Sequence, residues 1–116
     1  MSLEIKIRRA TPKALNWSVF DSETHVGGGY GASREDAAHD AAMIAASHAV
    51  KKALPQVRFQ PFTWSPHVGT GGGWAAESLC GEFEAVCHPV GADRWAFWIL
   101  LSRDGGTVHH QNIPVL

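Results

Sequence analysis

The chain has 116 residues, 45% hydrophobic and 18% charged, a size that fits one domain with one core. Ten Lys and Arg against eleven Asp and Glu leave a formal charge of −1, which excludes a global field aimed at nucleic acid or an anionic membrane. No apolar run approaches the ~20 residues of a bilayer span and the charged N-terminus lacks a signal-peptide core, so a cytoplasmic protein without a membrane segment is expected.

Leu3, Ile5 and Ile7 alternate with Glu4, Lys6 and Arg8, the period-2 pattern of a half-buried strand that Thr11-Pro12 ends. A second short strand is predicted through Trp17, Val19 and Phe20. After the polar turn Asp21 to Thr24, His25 to Tyr30 returns as a third. Glycines at 27, 28, 29 and 31 weaken that strand and predict a bulge or a close backbone approach.

A helix follows over residues 34–53. Ser33 is placed as its N-cap, Glu35 and Asp36 favour the positive end of the dipole, Lys51 and Lys52 the negative end, and Leu54-Pro55 closes it. At 100° per residue, Ala37, Ala41, Ile44, Ala45 and His48 share one face, widened by Ala38, Ala42 and Ala49, while Asp36, Asp40, Ser47 and Lys51 lie opposite. So small a face predicts close approach to a sheet that carries the bulky partners. His48 is expected to be a core or interface histidine with one satisfied hydrogen bond.

Val57 and Phe59 suggest one short strand. Residues 61–81, with two prolines, five glycines and two tryptophans, read as a long loop holding at most a brief strand or turn near Trp74 to Leu79. The last third is β: Phe83 to His88, a turn from Pro89 to Asp93, a central strand from Arg94 to Ser102, a tight turn at Arg103-Asp104-Gly105-Gly106, and a return from Thr107 to Asn112. The expected fold is α+β: a single domain over 1–116, an antiparallel sheet with one main helix on one face, in the order β-β-β-α-β-loop-β-β-β.

Residues 16–54, a hairpin followed by Gly31-Ala32-Ser33-Arg34-Glu35-Asp36-Ala37 and an alanine-rich helix, resemble the strand-strand-helix unit of HicB-like antitoxin domains. The resemblance implies topology alone and transfers no functional residue. The long Gly/Trp loop departs from that pattern.

No motif for nucleophilic catalysis is present, and no catalytic residue, metal or cofactor is assigned. Cys80 and Cys87 match neither a zinc ribbon nor a redox pair and read as small buried apolar residues. His109 and His110 point to opposite faces of a strand, although His88, His109 and Glu84 could still meet as a strand-built metal site, which with acid–base catalysis by a spatial pair is the basis of a hydrolase alternative. Gly27 to Gly31 lacks the Walker spacing, and Gly27, Gly29 and Ala32 fit the dinucleotide fingerprint only loosely, without a following βαβ unit.

The segment Trp64 to Trp74 sets two large aromatics around a flexible tract with His67. Trp64, His67, Trp74 and Tyr30 are therefore the candidate partner- or ligand-binding residues. Residues 1–20 carry a local charge of +3, and Arg8, Arg9, Lys13 and Trp17 make the alternative, a weak nucleic-acid surface. One helix cannot cover both faces of the sheet. The expected function is accordingly a binding or assembly module, a homodimer or a protein that meets a protein partner through sheet surface and tryptophans.

Overall fold

The computed structural model describes residues 2–59, 64–67 and 73–116. The strands β1 (Leu3–Thr11), β2 (Ala14–Asp21) and β3 (Thr24–Gly31) precede the helix α1 (Arg34–Ala53). After it come β4 (Ser65–His67), β5 (Gly73–Glu77), β6 (Phe83–Pro89), β7 (Arg94–Leu101) and β8 (Thr107–Pro114). The fold is α+β, one helix against antiparallel sheet, as the alternation and turn residues predict.

Two meanders, β1-β2-β3 and β4-β5-β6-β7-β8, pair antiparallel throughout. The end of the chain joins them. Val115 bridges Ile5 in parallel, the Leu116 N–H donates to the Ile5 carbonyl at 2.7 Å, and the Ile7 N–H donates to the Leu116 carbonyl at 3.0 Å. Across the molecule the strand order thus reads β3-β2-β1-β8-β7-β6-β5-β4. The molecule measures 46 × 30 × 22 Å, a broad slab about two layers thick.

The helix begins where its cap chemistry dictates. The Ser33 Oγ accepts from the Asp36 N–H at 3.1 Å, and Leu54, held out of helical geometry before Pro55, ends it. Ala37, Ala38, Ala41, Ala42, Ala45, Ala46, Ala49 and Val50 are buried. Ile44 leaves the expected stripe. It is 41% exposed and its Cγ2 lies over Gly27 at the edge of β3, so the buried face is rotated toward Ala46 and Val50.

Glycines complete the contact from below. A Cβ on Gly31 would stand 2.7 Å from the Ala37 amide nitrogen, and one on Gly29 would stand 2.7 Å from the Trp17 ring. Close approach is thus one reason for the glycine-rich strand, and the expected bulge is present as well: Val19 and Phe20 pair with Gly27 and His25, so Val26 of β3 is the extra residue. Beside the helix, Trp95, Phe97, Ile99 and Ile113 supply the bulk the alanines lack. Each such ring or branched side chain stabilises by roughly 1.5–3 kcal/mol when buried.

Three details differ from expectation. Val57 to Phe59 forms no extended strand, only a bridge from Phe59 to Ser78, and residues 65–67 and 73–77 of the supposed loop pair as β4 and β5. Proline and glycine in that segment masked a short hairpin whose pairing comes from β6. Cys80, expected to be buried, is exposed in the turn before β6, whereas Cys87 is fully buried as expected.

Candidate functional site

Strand alternation splits the sheet into a helix-facing side and a bare side. Trp95, Phe97 and Ile99 of β7 join the core, so Ala96, Trp98 and Leu100 face away from it. On the bare side Trp98 lies between two histidines from the flanking strands. The His88 ring of β6 stacks on it at 5.0 Å and 10° between planes, and the His110 ring of β8 at 4.5 Å and 19°. Val86 and Ala96 fill the floor beside the stack and are buried. The result is a three-ring ridge on a sheet face that no helix covers among the described residues.

Charge is divided along this face. At one end β1 presents Lys6 and Arg8, with the Lys6 ammonium 5.0 Å over the Phe20 ring and 3.6 Å from Glu4. At the other end Glu77 of β5 stands directly opposite Glu84 of β6. The aromatic ridge lies between the basic pair on β1 and the acidic pair on β5 and β6, with Arg94 of β7 on the same face.

On the helix side a cleft of about 850 Å³ opens where the first turns of α1 pass over β5 and the β6–β7 turn. Arg34, Glu35, His39, Trp74, Pro89 and Trp95 are among its lining residues. The His39 ring packs against both indoles, 4.7 Å from Trp74 and 6.1 Å from Trp95. Its Nδ1 is 3.1 Å from the Asp40 carboxylate and its Nε2 is buried without a hydrogen-bond partner.

At the other end of the helix Asp21 is buried, with Oδ2 2.9 Å from both the His48 Nε2 and the Lys52 Nζ, and Oδ1 accepting from the Ser2 N–H at 3.2 Å. The His48 hydrogen bond first, then Lys52, holds this carboxyl well below the usual carboxylate range, against the opposing effect of burial. His48 is thus a satisfied interface histidine that ties the helix to the β2–β3 turn. Burial alone pushes the Cys87 thiol up to about 12, which keeps it protonated and inert.

The four residues expected to form one binding site do not come together. Trp64 turns to the helix and its indole N–H donates to the Ser47 Oγ at 3.1 Å, while Trp74 turns to His39. Tyr30 is 69% exposed on the bare side of β3, and the His67 side chain lies outside the described residues. Of the basic set, Arg8, Arg9 and Lys13 are exposed, but Trp17 is buried under the helix, on the opposite side of the sheet from Arg8. The strand-built metal set also separates. His88 and Glu84 face outward, whereas His109 faces the helix side beside Phe97, its Nε2 2.8 Å from the Gln111 Oε1. Among the described residues no group of three or more His, Cys, Asp or Glu could hold a metal, and no helix is long and apolar enough to cross a membrane.

The Trp98 ridge is hidden in the sequence because residues 95–101 are apolar throughout, which conceals which residues face which way. The hairpin register, with Trp98 opposite His110, carries that signal.

No family model, no curated protein and no solved structure matches this chain.

Proposed function

We propose that the protein is a small cytoplasmic assembly module that pairs with a second copy of itself through the bare face of the sheet, without catalysis. The observation that carries this reading is the His88–Trp98–His110 ridge set between a basic strand and an acidic strand pair. A two-fold axis near the ridge would lay Lys6 and Arg8 of one copy over Glu77 and Glu84 of the other, twice, as an isologous interface requires. A slab up to 46 by 30 Å has room for the roughly 800 Å² per partner of a standard interface. The unpaired Cys80 and Cys87 suit a reducing compartment. The likeness of residues 16–54 to HicB-like domains belongs to this proposal as a statement of topology.

A charge swap tests it. Lys6→Glu with Arg8→Glu should leave a monomer, as should Glu77→Lys with Glu84→Lys, and mixing the two variants should restore a dimer by light scattering. Failure of the mixed sample to associate, with the wild type dimeric, would place the interface elsewhere. The alternative of a nucleic-acid surface predicts salt-sensitive retention of the wild type on an oligonucleotide column, lost with Arg8→Glu.

A further inference from the structure

The cleft at the amino end of α1 lies on the helix-bearing side, away from the proposed dimer face, and does not depend on that reading. Its volume of about 850 Å³ falls within the ~300–1,000 Å³ of small-molecule sites. One wall is aromatic: Trp74 is half-buried, backed by His39 and by the nearly buried Trp95, with Pro89 beside them. The other wall is the first turn of the helix, which contributes the carboxylates of Glu35 and Asp36.

An anion is poorly served here. The Asp36 N–H already donates to the Ser33 Oγ, so one of the four free amides of the helix end is occupied. The two carboxylates would repel an anion as well. Arg34 also lines the cleft, but its Nη2 lies 3.5 Å from the Val115 carbonyl, toward the end of the chain. Against one guanidinium and the helix end's half-charge of about +0.5, the two carboxylates leave the cleft net negative.

An aromatic wall facing carboxylates is the chemistry that receives an organic ammonium group: the ring quadrupole attracts the cation, and the carboxylates compensate its charge. We propose that this cleft binds a small organic cation, an alkylated ammonium, with its methyl groups against Trp74 and its charge toward Glu35 and Asp36.

The test titrates the full chain with choline, with its neutral isostere in which carbon replaces nitrogen, and with inorganic phosphate, following the Trp74 and Trp95 indole N–H signals by NMR. Choline should shift the Trp74 signal saturably, and the isostere should bind about tenfold more weakly. The double variant Glu35→Gln with Asp36→Asn removes two surface charges and should weaken choline by about the same factor while its amide spectrum stays folded. Equal binding of the isostere, a preference for phosphate, or no saturable shift with choline would each overturn the assignment. So would a double variant that binds choline as well as the wild type.

Discussion

The two halves of the sheet solve the same burial problem with opposite residues. Under the helix, Gly31 of β3 lies against the Ala37 backbone, Gly27 lies under the Ile44 side chain and Gly29 makes room for the Trp17 ring, opposite a row of buried alanines. Beside the helix, β6 to β8 close the core with Trp95, Phe97, Ile99 and Ile113, and β7 carries further apolar residues through to its outer side. The first half spends its small residues on proximity. The second has bulk on both faces, and the surplus becomes a surface. The difference teaches that the bare aromatic ridge follows from β7 being an interior strand of the meander, apolar on both faces, with one helix among the described residues to cover it.

The largest expected effect comes from adding one carbon where the first half is tightest. Gly31→Ala would drive its methyl into the Ala37 backbone, which cannot move without shifting the helix. We expect about 3 kcal/mol or more of destabilisation in urea melts. Gly105→Ala, in the β7–β8 turn, meets nothing within 4 Å and has only its φ of +74° against it, so about 1 kcal/mol is expected. Equal costs at the two sites would refute the close-approach account of the glycine strand.

Next in size is Asp21→Asn. It removes the carboxylate that receives both His48 and Lys52, at an expected cost of about 1–3 kcal/mol at neutral pH. Because the folded-state carboxyl is held below its usual value, its stabilisation is complete above the ordinary carboxylate range of ~4 and is lost as pH falls below it. The stability gap between wild type and variant should therefore narrow in urea melts taken at progressively more acid pH.

Two smaller tests sharpen the contrast between exposed and enclosed positions. A thiol reagent should label Cys80 in the folded chain and leave Cys87 untouched until denaturant is added. Ser22, in the β2–β3 turn at φ 56°, adopts a backbone that glycine takes more easily, so Ser22→Gly should raise stability by about 0.5–1 kcal/mol. An unchanged or lowered melting temperature would show that the turn carries no strain.

Much of the fold was legible in residues 3–54 and 83–113. Alternation there sets strand faces, Ser33 and Leu54-Pro55 bracket the helix, and Asp104-Gly105 fixes the last hairpin, whose Asp104 Oδ1 accepts from the Gly106 N–H at 2.8 Å. The β4–β5 hairpin was not legible, because its glycines and prolines resemble loop and its ladder is completed by β6. The tryptophans of that segment were read as free anchors, yet Trp64 and Trp74 turn inward because Ser47 and His39 on the helix offer them partners. Neither the cleft nor the ridge follows from local pattern. The cleft needs the helix to pass over the β6–β7 turn, and the ridge needs the register of three strands.

Sedimentation equilibrium of the wild-type chain across micromolar concentrations, alongside Trp98→Glu, tests the central claim most directly. The wild type should sediment at twice its 12.5 kDa monomer mass and the variant, still folded by circular dichroism, at the monomer mass. A wild type that stays at 12.5 kDa throughout, or a variant that remains dimeric, would contradict the proposal that the bare face is covered by a second copy.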